Sequence, residues 1–164
     1  MPDLREMLRE MLRGRVCVMG MGNAGYGDDA VGSYLADALS VRPMGIDVIN
    51  AGSTPERFIG SVIEGGYDRL LFIDAVESGI EPAAAVLLDA SEIIARFPQI
   101  STHKISVGLL AKLAEDRGMV VRLLGIQPRS IRHGAGLSEE VRKTADMLIG
   151  LIGTAVEAVK IEAA

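Results

Sequence analysis

Short apolar runs alternate along the chain with stretches of helical periodicity. The apolar runs predict five strands, over residues 15–21, 45–50, 69–76, 83–89 and 119–126. Between the first two runs, Val31, Leu35 and Leu39 recur at the spacing of one helical face. Strands that alternate with helices are typical of βαβ units. The pattern therefore predicts an α/β fold, a three-layer sandwich with a mostly parallel central sheet of about five strands flanked by helices.

Turn and capping residues mark the ends of several predicted helices. Ser53 or Thr54 followed by Pro55 is a favoured helix start. Gly118 ends the helix predicted before the last strand, because glycine is the usual residue just past a helix end. Ser138 is predicted to cap a long closing helix.

The third and fourth apolar runs carry information on the sheet. The run 69–76 is apolar up to Asp74, which predicts a central strand buried on both faces. Only a short loop separates it from the run 83–89. Because antiparallel strands can be joined by short connections, we expect the strand 83–89 to be antiparallel.

The first residues form a distinct amphipathic segment. One helical face carries the apolar residues Leu4, Met7, Leu8, Met11 and Leu12. We expect residues 1–14 to form a helical arm that docks on the protein or is partly frayed. A chain of 164 residues is too short to predict two domains, so residues 15–164 are interpreted as one α/β domain.

Composition and charge exclude several classes of partner. The formal net charge is −5, which argues against nucleic acid and anionic membranes. The sequence contains no run of ~18 apolar residues that could span a bilayer, and charges interrupt the N-terminal segment. The single cysteine, Cys17, lies in an apolar run and is expected to be a buried thiol. These features predict a cytoplasmic protein.

Polar residues follow several predicted strands where each strand ends. In open parallel sheets, ligands bind beyond the carboxyl ends of the strands. The candidates at these ends are Asn23, Asp28, Asp29, Asn50, Asp74 and Gln127, and His103 stands before the following helix. We expect these segments to meet at one edge of the sheet.

The segment 20–25 has the spacing G-x-G-x-x-G, which also occurs in dinucleotide-binding loops. In such loops the diphosphate rests on the N-terminus of the following helix. Here Asp28 and Asp29 occupy that position. A like-charge contact at ~5 Å costs about 1 to 3 kcal/mol, so the two carboxylates disfavour a nucleotide. A nucleotide-binding enzyme remains the weaker alternative.

Asp29, Asp74 and His103 suggest a different site. Asp28 is explained by its position, because Asp is a preferred helix N-cap. Two carboxylates and one imidazole suit a divalent transition metal such as nickel, zinc, iron or manganese. Two acids that share a water, as in aspartic proteases, are an alternative. The sequence contains neither H-E-x-x-H nor G-x-S-x-G.

Four separated motifs resemble the nickel-iron hydrogenase maturation endopeptidases. They are G-x-G-N-x-x-x-G-D-D over 20–29, FIDAV over 72–76, STH over 101–103 and LLGIQP over 123–128. A further G-x-x-L-S follows over 134–138, where the closing helix starts. The match covers about residues 15 to 155 in the order of the family, and the N-terminal arm lies outside it.

The resemblance implies an α/β enzyme that removes a C-terminal extension from a hydrogenase large-subunit precursor after nickel insertion. The family's metal-recognition set falls on Asp29, Asp74 and His103. Three such ligands without a cage bind a metal weakly, so the nickel is expected to be carried by the substrate. Weak binding of another divalent metal by the free protein is left open.

The remaining roles follow from the same resemblance. Asp29 and Asp74 are the candidate catalytic residues, one of which activates a water, unless the metal itself polarises it. The candidate substrate-binding set consists of three glycines, which let backbone approach the peptide closely, and two polar residues. Its members are Gly20, Gly22, Asn23, Gly25 and Gln127. The alternative function is a non-catalytic module that binds the precursor and senses nickel. A monomer or a weak dimer is expected.

Overall fold

The computed structural model describes residues 3–96 and 106–164, which form one sheet covered by helices on both faces. The strands are β1 (Val16–Met21), β2 (Asp47–Gly52), β3 (Arg69–Ala75), β4 (Ala85–Asp89) and β5 (Val120–Ile126). The helices are α1 (Leu4–Met11), α2 (Val31–Ser40), α3 (Ile59–Glu64), α4 (Ala90–Arg96), α5 (Val107–Asp116) and α6 (Glu139–Ala163). Two short 3₁₀ turns span Gly27–Ala30 and Pro55–Arg57.

The strand order across the sheet is β2-β1-β3-β5-β4. The first four of these strands are parallel, and β4 is antiparallel to β5. The predicted mostly parallel five-stranded sheet is therefore confirmed. The antiparallel direction of β4 is also confirmed, but its neighbour is β5 and not β3, which precedes it in the chain. Because β5 lies between β3 and β4 in the sheet, the connection from β3 to β4 must pass beyond β5.

Two apolar layers bury both faces of the central strands. Helices α1, α2 and α6 cover one face, where Val18, Leu71 and Leu124 are fully buried. Helices α3, α4 and α5 cover the other face, above Met19 and Phe72. Burial on both faces explains why β1 and β3 are continuous apolar runs. Within the described ranges, no helix combines the length and hydropathy needed to cross a bilayer.

Helix α1 packs its apolar face against α6. Leu8, Met11 and Leu12 are buried in the core, so the amphipathic pattern correctly identified the inner face. Arg9 and Arg13 form ion pairs with Glu162 near the end of α6. Fully burying a leucine or methionine contributes about 1.5–3 kcal/mol, whereas exposed ion pairs contribute about 0–1 kcal/mol. Apolar packing is therefore the main attachment of α1.

Helix α4 was not predicted from the hydrophobic pattern. The carboxylate of Asp89 accepts a hydrogen bond from the backbone N–H of Glu92 at 2.9 Å, and the Glu92 side chain accepts one from Asp89 N at 3.2 Å. This reciprocal pair is a capping box with Asp as the first residue. The sequence DASE at 89–92 carried the signal. The helix has only 7 residues, which is too few for a clear periodicity.

Cys17 is expected to be unreactive in the folded protein. It is 0% exposed, and burial, with a smaller contribution from Asp47, raises the pKa of its thiol to about 12. The thiolate is the reactive form, so iodoacetamide at pH 8 should leave the native protein unmodified and alkylate the urea-unfolded chain. Intact-mass spectrometry measures both reactions. Modification of the native protein as fast as of the unfolded chain would contradict this burial.

Candidate active site

Asp29 and Asp74 lie at the same edge of the sheet. Asp74 is near the carboxyl end of β3, and Asp29 lies in the 3₁₀ turn that follows the neighbouring strand β1. The start of α2 packs directly on both strand ends at Gly32. A Cβ built on Gly32 would lie 2.1 Å from the carbonyl oxygen of Met21 and 2.3 Å from that of Ile73. This close packing brings the turn with Asp29 next to the end of β3.

Both carboxylates are half-buried and oriented by backbone N–H groups. Asp29 Oδ2 accepts a hydrogen bond from the N–H of Asn23 at 3.0 Å. Asp74 Oδ1 accepts one from the N–H of Ala75 at 2.8 Å. Because a carboxylate has about four acceptor positions, one such bond leaves the Asp29 side chain able to interact with a further ligand.

A cavity of about 250 Å³ opens beside Asp29. It is lined by Asp29, Ala75, Glu77, Pro128, Arg129, Ser130 and Ile131. One wall consists of Asp29, the end of β3 at Ala75, and Glu77. The opposite wall is the loop after β5. Small-molecule sites usually have about 300–1,000 Å³, so this cavity suits a short piece of peptide better than a dinucleotide.

The ionisable groups around the cavity are mainly acidic. Asp29 and Glu77 contribute two carboxylates. The guanidinium of Arg129 forms two hydrogen bonds with the carboxylate of Glu140, at 2.8 and 2.9 Å. Its positive charge is thus largely balanced by Glu140, and the cavity favours a cationic ligand.

Asp28 has a different role from the predicted helix cap. Its side chain is 0% exposed and accepts hydrogen bonds from the N–H groups of Arg129 (2.9 Å), Ser130 (3.1 Å) and Ser138 (2.7 Å). Ser138 is the N-cap residue of α6 as predicted, but its hydroxyl donates to Asp28 at 2.9 Å and makes no capping hydrogen bond. Burial raises the pKa of Asp28, but the hydrogen bonds outweigh it and lower the pKa below its usual value. Asp28 is therefore ionised at neutral pH.

Two of the three glycines predicted to bind substrate lie in close contact with backbone of the same protein. A Cβ on Gly20 would lie 2.2 Å from the carbonyl oxygen of Gly32. Gly22 has φ +140°, and a Cβ there would lie 1.8 Å from the carbonyl oxygen of Asp29. Internal packing thus accounts for the glycine at both residues, and the approach of a peptide there stays a prediction. Gly25 and Asn23 are exposed, and their contact with substrate stays a prediction.

Gln127 positions one cavity wall. It is 4% exposed, its Oε1 accepts from the N–H of Ser78 at 2.9 Å, and its Nε2 donates to Glu77 at 2.8 Å. The Ser78 N–H can only donate, which fixes the orientation of the amide. Both ends of the side chain thus form hydrogen bonds within the protein, and a contact with substrate stays a prediction. Asn50 similarly bonds within the fold, to Asp37 and to Gly52 N.

The family of the chain follows from its comparison with known proteins. The family model described as hydrogenase maturation protease matches residues 30–155. The chain belongs to this family. Among curated proteins, the Hydrogenase 3 maturation protease of Escherichia coli strain K12 is 37% identical over 110 residues, which are 66% of this chain and 69% of that protein. A putative hydrogenase maturation protease of Methanocaldococcus jannaschii is 25% identical over 144 residues, 84% of this chain and 93% of that protein.

Solved structures of maturation proteases share the fold. The [NiFe] hydrogenase maturation protease HycI from Thermococcus kodakarensis KOD1 aligns with a TM-score of 0.81 at 27% identity, covering 92% of this chain and 99% of that chain. The solution structure of the endopeptidase HycI from Escherichia coli aligns with a TM-score of 0.75 at 26% identity, covering 86% of this chain and 90% of that chain. The α/β architecture and the assignment as an endopeptidase are thus confirmed.

The third member of the predicted metal set, His103, lies outside the described residues. Within residues 3–96 and 106–164, no three His, Cys, Asp or Glu side chains are grouped to hold a metal. The role of Asp29, Asp74 and His103 in metal recognition therefore stays a prediction for this maturation protease. The sequence analysis did not identify Glu77 or the loop 129–131 as residues of the site, although each follows the end of a strand.

Replacing Gln127 by leucine is expected to loosen the wall of the protease cavity. The change removes the partner of the half-buried Ser78 N–H and of the exposed Glu77 carboxylate. A typical hydrogen bond contributes about 0.5–1.5 kcal/mol, so the free energy of unfolding should fall by about that amount. Urea denaturation measures it. An unchanged midpoint would show that this amide does not hold the wall.

Proposed function

We propose that this protease removes the C-terminal extension of a nickel-iron hydrogenase large-subunit precursor once nickel has been inserted. The observation that carries the proposal is the placement of Asp29 and Asp74 at one edge of the sheet, with Asp29 in the wall of an acidic cavity. The names of the relatives, which are hydrogenase maturation proteases, support the class of substrate.

Nickel belongs to the substrate in this proposal. Asp29, Asp74 and His103 offer two carboxylates and one imidazole, a donor set that suits divalent nickel. Three ligands on a protein without a closed cage bind a free ion weakly. Nickel already held by the precursor would complete the interaction, and its presence would therefore distinguish a loaded precursor from an empty one.

Hydrolysis of the peptide bond needs an attacking water and a group that accepts its proton. Either Asp29 or Asp74 can act as the general base, and Asp29 is favoured because it lines the cavity. The proton is then delivered to the leaving amine as the C–N bond breaks. The products are the mature carboxyl end and the released extension.

The test is intact-mass spectrometry of a large-subunit precursor, loaded with nickel or nickel-free, after incubation with the protease. Loss of one discrete C-terminal fragment from the nickel-loaded precursor alone is the expected result. A zinc-loaded precursor serves as a control for the choice of metal. Equal cleavage of loaded and empty precursor would remove nickel from the proposal. Co-elution of the two proteins without any change in mass would instead support a nickel-sensing binding module.

A further inference from the structure

We propose that Asp28 is a positioning residue, whose buried carboxylate holds the turn that carries Asp29 against the loop that forms the opposite wall of the cavity. The inference deepens the proposed function and rests on it for the role of Asp29. Asp28 itself does not line the cavity.

The carboxylate of Asp28 accepts hydrogen bonds from the loop of the opposite wall and from the start of α6. It accepts from three backbone N–H groups and one hydroxyl, at distances of 2.7 to 3.1 Å. These four bonds use about all the acceptor positions that a carboxylate has. The partners Arg129 and Ser130 are themselves cavity residues, so Asp28 connects them directly to its neighbour Asp29.

The same carboxylate lies at the start of α6. Ser138 is the N-cap residue of this 25-residue helix, and its N–H donates to Asp28 Oδ1. The N-terminus of a helix carries a partial positive charge and free N–H groups, both of which favour a negative group. Asp28 therefore accepts, from another segment, the N–H of the N-cap residue, which in a capping box is bonded by a side chain of the helix's own first turn.

Backbone hydrogen bonds continue the same connection. The N–H of Asp28 donates to Ser130 O at 2.8 Å, that of Gly27 to Ala135 O at 3.1 Å, and that of Gly134 to Gly25 O at 2.8 Å. The approach is close, because a Cβ on Gly27 would lie 2.6 Å from Ser130 O. The turn and the loop thus form one unit, in which Asp28 provides side-chain hydrogen bonds and Tyr26 packs its ring against that of His133.

An isosteric amide cannot replace this carboxylate. In Asp28→Asn, one acceptor oxygen becomes an NH₂ group that faces N–H donors, so at least one of the four bonds is lost and a donor meets a donor. We expect the loop to move away from the turn and Asp29 to lose its fixed orientation. A displacement of about 1 Å at a reacting group can lower the rate about a hundredfold.

The experiment compares Asp28→Asn with two other variants. Ser138→Ala removes the hydroxyl but keeps the backbone N–H, and should have a weaker effect. Asp89→Asn removes a carboxylate that caps α4, away from the cavity, and serves as a matched structural control. The readouts are kcat and KM for the nickel-loaded precursor, the melting temperature, and the ¹H–¹⁵N signal of Asn23, whose N–H donates to Asp29.

We expect Asp28→Asn to lower kcat at least about tenfold at a temperature where the protein is folded, with a smaller change in KM. The Asn23 signal should shift and its exchange with solvent should accelerate. Asp89→Asn should produce neither effect and should largely keep the melting temperature, because asparagine caps a helix about as well as aspartate. Wild-type kcat and an unchanged Asn23 signal in folded Asp28→Asn would overturn the proposal. Because the Asn23 signal needs no substrate, it tests the positioning role even if no precursor is cleaved.

Discussion

Replacing Asp29 by asparagine should reduce kcat for precursor cleavage by at least about a hundredfold, since general-base catalysis contributes about 10²–10⁴-fold. Asparagine keeps the shape of the side chain and can still accept the hydrogen bond from Asn23, but it cannot take a proton from water. Asp74→Asn is expected to have a comparable effect, because both carboxylates lie at the edge where the peptide must bind. Intact-mass time courses with nickel-loaded precursor measure the rates.

The matched control for both variants is Asp116→Asn. Asp116 is exposed at the end of α5 and pairs with Lys112 at 3.3 Å, so its loss should leave cleavage unchanged. Circular dichroism should show the same fold in all three variants. Rapid cleavage by both Asp29→Asn and Asp74→Asn would exclude these carboxylates as general bases.

Replacing Gly32 by alanine should destabilise the protein by about 1–3 kcal/mol or more, the usual cost of overpacking. The added methyl group would meet two backbone carbonyls, at 2.1 and 2.3 Å, and neither can rotate away as a side chain can. These carbonyls belong to Met21 and Ile73, next to the site, so cleavage should fall together with stability. Urea denaturation gives the change in the free energy of unfolding.

Gly150→Ala provides the control for Gly32. Both glycines lie in helices, but Gly150 is exposed and a Cβ there meets nothing within 4 Å. Alanine is favoured over glycine inside a helix by about 0.5–1 kcal/mol, so this variant should be slightly more stable than the wild type. Equal effects of the two substitutions would contradict the close packing of α2 on the sheet.

The central strands β1, β3 and β5 could be predicted from the sequence because burial on both faces leaves long apolar runs. The neighbour of β4 could not, since pairing with β5 is decided by contacts distant along the chain and not by the short loop after β3. The apolar pattern also identified the buried face of α1. Helix α4 could be found only from its capping box, because its 7 residues are too few for a clear periodicity.

The site was predictable only in part. The general rule for strand ends in parallel sheets correctly placed Asp29 and Asp74 at one edge. The role of Asp28 was hidden, because its partners include backbone N–H groups, which every residue except proline possesses. The glycines were ambiguous for a similar reason. The sequence alone does not show whether a glycine leaves space for a ligand or for a helix of the same protein. Gly20 leaves space for such a helix.

The bonds of Asp28 also set an order of events during synthesis. Ser138 follows Asp28 by 110 residues, and at 5–20 residues per second the ribosome needs roughly 5–20 s to make that length. Asp29 is present in the nascent chain from the start of this interval and Asp74 from partway through it, while the loop that forms the opposite wall is not yet made. Strand β5, which separates β3 from β4 in the sheet, is also made late. In the proposed arrangement, the protease becomes competent to cut only after residue 138 has been synthesised.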